Sequence, residues 1–468
     1  MKRRQFIQAS GAAAVALAAA PATFAQPAGR VAITGPIPVA PRTDEPYRGE
    51  NEQPVAGPGL PPPVLIPFGY VEEEYFVSGT VGGQAYKTSL LVRKPSDRSK
   101  FSGLVAVETI HAAGAIPFWG MGQGVWMPGG HAWVAVASQR VALVDHAKRA
   151  NPARYASLSI PDLGAGKGPG GATMANGPQD HFSQAIMTQV GQLLKDNRSD
   201  GPLRGLRVRY LTMGGASQTG GTTWRYIAQS HAAARRPDGK PVFDGYVPAE
   251  SFSDTPVSGI DAVIVSPCTE GDVMNMTMMG HAAPPREDGD APGDRYRHYE
   301  LTGASHVVTR GVTDPHKVFS TLSDALRPGE QLNQFPNAEF FMAIATNFVA
   351  WVTQGTPPPK APRIEIANGQ IVRDAFGNAR GGVRTPYVDM PTVRYIASAP
   401  TAPGENFFRR LIGLQEPIPR ERLVNMYHTR EEYLRRFNEQ IDRLAADRWL
   451  LPAGAQRLKE QEAANPPI

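Results

Sequence analysis

Residues 210–227 read Tyr-Leu-Thr-Met-Gly-Gly-Ala-Ser-Gln-Thr-Gly-Gly-Thr-Thr-Trp-Arg-Tyr-Ile, an order that few folds accommodate. An apolar run ends in glycines, offers one serine, Ser217, and passes through more glycines into a helix-like segment. A sharp strand-to-helix turn needs small residues on both sides of its apex. Gly215 lies two before Ser217, and Thr219, Gly220 and Gly221 follow, giving G-x-S-x-T-G in place of a strict G-x-S-x-G. Glycine tolerates the backbone angles that such a turn imposes. The pattern predicts a nucleophile elbow with Ser217 at its apex, set against an ordinary Gly/Ser/Thr-rich turn.

The flanking sequence supplies the scaffold that an elbow requires. Residues 69–78 alternate imperfectly as an edge strand does, and residues 86–93 form its antiparallel partner. Residues 104–108 (Leu-Val-Ala-Val-Glu) and 133–137 (Trp-Val-Ala-Val-Ala) are short, nearly continuous apolar runs, as in strands covered on both faces. Residues 180–195 read as a helix with Phe182, Ile186, Val190 and Leu194 spaced by four. Further strands follow at 243–248 and 262–266. This alternation predicts an α/β fold: a mostly parallel sheet with helices on both faces. Residues 338–354 form a helix, 363–366 and 370–373 a small hairpin, and 421–462 charged amphipathic helices, making a C-terminal helical subdomain appended to the sheet domain.

The beginning of the chain reads as an address rather than as fold. Lys2-Arg-Arg-Gln-Phe-Ile7 precedes an alanine-rich run and Pro21-Ala-Thr-Phe-Ala25. A basic start, a short apolar segment and small residues make a secretory signal, and the paired Arg3-Arg4 points to twin-arginine export. Cleavage is expected after Ala25, with a periplasmic or secreted product, the export machinery as a partner and no stable membrane anchor. Losing the three cations of this segment takes the formal charge from +5 to +2. The remaining cations are scattered among acids, which excludes a nucleic-acid stripe. The single cysteine, Cys268, can form no disulfide within the chain and no Cys-based zinc site. Domains follow as 1–25 signal, 26–67 extended Pro/Gly-rich arm, 68–356 sheet domain and 357–468 C-terminal extension.

A serine nucleophile needs a base and an acid that orients the base. After the strand at 262–266 comes Pro267-Cys-Thr-Glu-Gly-Asp-Val273, where Asp272 falls at the acid's place and Glu270 is the alternative. Residues 297–306 break at Gly303 and present His306 as the base. The oxyanion needs two donors: the amide of Gln218, after the nucleophile, and one from the small-residue loop 110–115, at Ala112 or Ala113. Trp119, His111 and Met274 are candidate pocket residues. No metal or organic cofactor is required.

With these residues together, the chain resembles the α/β-hydrolase superfamily. More closely, it is similar to a bacterial family of alpha/beta-hydrolase-domain proteins of largely undefined substrate. The likeness rests on Gly69-Tyr-Val-Glu-Glu-Glu-Tyr-Phe-Val-Ser-Gly-Thr80, Gly130-His-Ala-Trp-Val-Ala-Val-Ala-Ser-Gln139 and Pro152-Ala-Arg-Tyr-Ala-Ser-Leu158. It rests also on Gly215-Ala-Ser-Gln-Thr-Gly220, Gly303-Ala-Ser-His306 and Gly377-Asn-Ala-Arg-Gly-Gly-Val-Arg-Thr-Pro386. It implies an α/β-hydrolase fold with Ser217 as nucleophile and His306 as base. Two departures stand out: Ile110-His-Ala-Ala-Gly114 where the family usually has Asn-Val-Ser-Gly-Gly, and Thr219 where serine is common. The expected function is a serine esterase acting on a small-molecule ester. Amidase or acyltransferase chemistry with the same triad, or a binding protein on this scaffold, are the alternatives.

Overall fold

Runs such as Leu-Val-Ala-Val can be buried only between two apolar layers, and the chain folds to provide both. In this computed structural model the described residues are 31–37, 65–149, 151–164, 178–253, 257–278, 286–310, 326–402, 405, 407–465 and 467. The export signal, the cleavage site after Ala25 and residues 38–64 of the arm lie outside them.

One sheet contains β1 (Ala32–Ile37), β2 (Tyr70–Val81), β3 (Gln84–Pro95), β4 (Leu104–Thr109), β5 (Ala132–Val136), β6 (Tyr210–Ala216), β7 (Gly245–Ala249), β8 (Ile260–Thr269) and β9 (Asp294–Leu301). Their spatial order is β1-β2-β3-β5-β4-β6-β7-β8-β9. The first three strands pair antiparallel and β3 meets β5 antiparallel; from β5 to β9 every pairing is parallel. The C-terminal ends of β4 and of β6 to β9 therefore share one edge. Ligands in such sheets bind beyond those ends, where the strand order reverses. That reversal falls between β4 and β6, beside Ser217.

The helices are α1 (Pro117–Trp126), α2 (Pro152–Tyr155), α3 (Pro178–Lys195), α4 (Gln218–Arg225), α5 (Glu270–Met278), α6 (Asn337–Gln354), α7 (Pro386–Asp389), α8 (Arg420–Tyr427), α9 (Arg430–Ala446) and α10 (Pro452–Ala464). Successive residues of β4 point into different cores. Val105 and Val107 pack with Leu211, Met213 and the α3 residues Phe182, Ile186, Val190 and Leu194. Ala106, on the other face, packs with Trp133, Val263 and the α6 residues Phe340, Phe341 and Ile344. Each fully buried aliphatic on α3 contributes about 1.5–3 kcal/mol. The apolar period of four thus becomes the seam that fixes α3 to the sheet.

The C-terminal helices complete the second core. Thr429 caps α9 through the amide of Glu432, and Tyr433, Phe437 and Ile441 project from that helix at intervals of four. With Leu458 of α10 they join the cluster that holds Trp133 and Val263.

Two elements differ from expectation. The strand read at 69–78 is longer and lies inside the sheet, because β1, from the stretch read as an arm, pairs along its open side. β1 is mostly exposed and buries little apolar surface beyond Val31, Ile33 and Ile37, so its sequence carries almost no strand signal. Among the described residues no helix is long and apolar enough to cross a membrane.

Candidate active site

At the end of β6 the backbone turns sharply at Ser217, which adopts φ 56° and ψ −122°. That conformation costs a non-glycine residue about 1–3 kcal/mol and persists only where the surroundings enforce it. Here the Ser217 amide donates to Ala249 O at 3.1 Å, and the Gly221 amide donates to Ser217 O at 3.0 Å. The Thr219 hydroxyl staples the turn from inside: it accepts from the Ala216 amide at 3.0 Å and donates to Ala216 O at 2.9 Å. Glycine is required at two places. A Cβ at Gly215 would meet Thr219 O at 2.5 Å, and one at Gly220 would meet Ala249 O at 2.2 Å. The Ser217 side chain makes no hydrogen bond to the helix that it precedes, and its hydroxyl, at the sheet edge, has no hydrogen-bond partner among the described residues.

The two acids after β8 have different partners. Asp272 Oδ1 lies 2.6 Å from His306 Nδ1. Its other oxygen accepts from both the amide and the hydroxyl of Thr269, each at 2.8 Å, while Thr269 Oγ1 accepts from the Asp272 amide at 3.1 Å. Thr269 and Asp272 are thus the reciprocal cap of α5, which fixes the carboxylate that meets the histidine. Glu270 does not reach His306. It is fully buried, accepts from the Gly303 amide at 2.9 Å, and pairs with Arg373 at 3.0 Å. Burial pushes the His306 imidazole toward its neutral form, but the charge and hydrogen bond of Asp272 and the charge of Glu250 outweigh it, raising the pKa to about 9.

The small-residue loop after β4 is tied to the elbow. Its anchor is Glu108, a buried carboxyl raised to about 8 by burial, which accepts from the Phe118 and Trp119 amides at the start of α1 and from Trp133 Nε1. Gln218 and Gln139 pair amide to amide, at 2.7 and 3.2 Å, and Gln139 Nε2 also donates to Ile110 O at 2.9 Å. The expected oxyanion donors of this loop are already engaged. The Ala112 amide donates to Gln218 Oε1 at 3.1 Å, and the Ala113 amide to His111 Nδ1 at 2.9 Å. The loop curls on itself, closing His111 N to Ala115 O and Gly114 N to His111 O, and so turns both amides inward. The Gln218 amide, in the first turn of α4, has no carbonyl within its own helix to bond.

Of the pocket candidates, Trp119 belongs to the core. It is 1% exposed, packed on Trp133 with the Arg93 guanidinium over its ring, because the first turn of α1 lies flat on the sheet. Met274 sits beside Arg373, its sulfur 3.6 Å from the guanidinium. His111 lies on the loop that the Ala112–Gln218 bond ties to the elbow, its Nδ1 accepting from the Ala113 amide. His281 and Met279 lie outside the described residues.

A family model described as "Alpha/beta hydrolase domain" matches residues 33–460. The chain belongs to that family. No curated protein matches this alpha/beta hydrolase in sequence. Among solved structures it is similar to a putative dienelactone hydrolase from Klebsiella pneumoniae, at 11% identity over 61% of this chain and 99% of that one, with a TM-score of 0.31. It is also similar to LpqC, a poly(3-hydroxybutyrate) depolymerase from Bordetella parapertussis, at 9% identity over 62% of this chain and 91% of that one, TM-score 0.31. A glucuronoyl esterase from Sporotrichum thermophile aligns at 9% identity over 49% and 67% of the two chains, TM-score 0.27.

One residue of the site escaped the sequence reading. Glu250 follows β7 with φ 51°, and burial raises its carboxyl to about 8, with the charge of His306 opposing and that of Asp272 adding. Its only mark in the sequence is a carboxylate just beyond the strand read at 243–248. The hydrolase also contains a buried string that imitates a triad. Ser266 Oγ lies 3.2 Å from His298 Nδ1, and His298 Nε2 3.2 Å from Glu300. All three are under 5% exposed, so substrate cannot reach them. Among the described residues no three His, Cys, Asp or Glu side chains gather as a metal site needs.

Proposed function

We propose that this alpha/beta hydrolase is an exported serine esterase. The observation that carries the reading is the Asp272–His306 pair, held at 2.6 Å by an acid that also caps a helix, at the sheet edge where Ser217 stands in its strained turn. Ser217 Oγ attacks the ester carbonyl carbon while His306 Nε2 takes its proton. The carbonyl π electrons move to oxygen, which the Gln218 amide and the positive end of α4 stabilise. Asp272 holds the imidazole and stabilises the imidazolium that forms. His306 then returns the proton to the departing alcohol, and water releases the acyl group by the same steps. Export rests on the paired Arg3-Arg4 and the small residues before Gln26.

Ser217→Ala is expected to abolish hydrolysis of p-nitrophenyl acetate and butyrate and to leave the far-UV circular dichroism spectrum unchanged. Turnover at the wild-type rate by that variant would remove Ser217 from the chemistry.

A further inference from the structure

A tetrahedral intermediate needs two donors on its oxyanion, and removing one costs about 10²–10³ in rate. The elbow supplies one, the Gln218 amide. The second should come from loop 110–115, which reaches the elbow through the Ala112–Gln218 bond at 3.1 Å. Both amides at the tip of that loop are spent within the protein, Ala112 on the Gln218 side chain and Ala113 on His111 Nδ1 at 2.9 Å. The second of these bonds decides the state of the imidazole. A ring nitrogen that accepts a backbone N–H carries no proton, so the proton of neutral His111 sits on Nε2. Nε2 has no hydrogen-bond partner among the described residues.

The geometry points to His111 Nε2–H as the second oxyanion donor, in place of the Ala112 and Ala113 amides, which are engaged within the protein. The inference rests on Ser217 being the nucleophile. The donor is neutral by construction. Burial, then the charges of His306 and His146, lower the His111 pKa to about 4, so across the working range the ring neither takes a proton nor loses its role as donor. Neutrality matters beside His306: a second imidazolium would oppose the proton that His306 gains as Ser217 attacks. In the step itself the Ser217 Oγ–carbon bond forms, the carbonyl π pair moves to oxygen, and the serine proton goes to His306 Nε2. His111 keeps its proton throughout and only shares it with the oxyanion. The departure of Ile110-His-Ala-Ala-Gly114 from the usual Asn-Val-Ser-Gly-Gly then has a chemical meaning: a side-chain donor stands in for a backbone one.

Three variants separate the donor from its structural duty. His111→Asn keeps an acceptor near the Nδ1 position for the Ala113 amide and loses the distal donor. His111→Gln places an amide N–H near the Nε2 position. His111→Ala loses both. With p-nitrophenyl butyrate, His111→Asn and His111→Ala are expected to lower kcat about a hundredfold with KM changed less than threefold, and His111→Gln to recover at least tenfold of that loss. A fluorophosphonate probe should phosphonylate Ser217 correspondingly more slowly in the Asn and Ala variants. Wild-type kcat in His111→Asn, or a raised KM with kcat unchanged, would overturn the assignment while leaving the nucleophile reading intact. A wild-type protein that neither turns over esters nor takes the probe on Ser217 would overturn the nucleophile reading and this inference with it.

Discussion

Asp272 divides its two oxygens between folding and the site. Oδ2 closes the cap of α5 through Thr269, and Oδ1 meets His306. The sequence favoured Asp272 only by its place after the strand, and the cap separates it from Glu270 on physical grounds: the capping carboxylate has its rotamer fixed by local bonds to Thr269. What could not be read was the partner of Glu270, because Arg373 lies more than a hundred residues away. The state of His306 has a measurable consequence. In the proposed mechanism His306 must be neutral to accept a proton, so kcat/KM should rise with pH through a midpoint near 9. Asp272→Asn removes the main attraction for the imidazolium; the midpoint should fall below that of wild type, and kcat should fall on the order of 10³–10⁴-fold. A pH–rate profile of both proteins checks each sign. Stability runs the other way. A folded pKa above the unfolded value of about 6.5 gives stabilisation that is complete below that value and is lost as pH climbs through about 9.

At the scale of elements, the site is a meeting of strand ends, and ties between loops hold it as firmly as the strands do. Glu270, at the start of α5, joins the loop that carries His306 to the hairpin of β10 (Ile366–Ala367) and β11 (Gln370–Ile371), through Gly303 and Arg373. Glu270→Ala leaves the Gly303 amide buried without its acceptor and is expected to lower stability by about 1–3 kcal/mol, read as a reduced urea midpoint. Glu270→Gln, which retains an acceptor for Gly303, should recover most of that loss. The positions of Ser217, Asp272 and His306, each just after a core strand, were legible in the strand pattern. The pocket was less so. Periodicity marks Phe118 and Trp119 as buried, but whether an aromatic at a helix start faces a ligand or the sheet depends on the tilt of that helix, and here Glu108 pins it flat. Glu250 escaped for another reason: its strain is a property of backbone angles that no residue type announces.

Across the whole molecule, the C-terminal helices and the central strands share one core. The charged, amphipathic character of residues 421–462 made the helices legible, but an apolar stripe says only that a face is covered, not by what. Tyr433, Phe437, Ile441 and Leu458 pack in the same cluster as Trp133 and Val263, so they are not a detachable cover. Removal of residues 420–468 uncovers that face; the truncated protein is expected to lose near-UV circular dichroism and to bind a hydrophobic dye at temperatures where the full chain does not. A truncated protein that melts as sharply as the full chain would show the helices to be dispensable. The shared core also sets a clock on synthesis. Trp133 is made more than three hundred residues before Leu458, and contacts so distant along the chain are slow to form. All nine strands of the sheet, α1 and α6 precede residue 420, so during translation the second face of a finished sheet stays only partly covered until the final helices have left the ribosome. A transport route that accepts only finished folds would have nothing to carry before that moment.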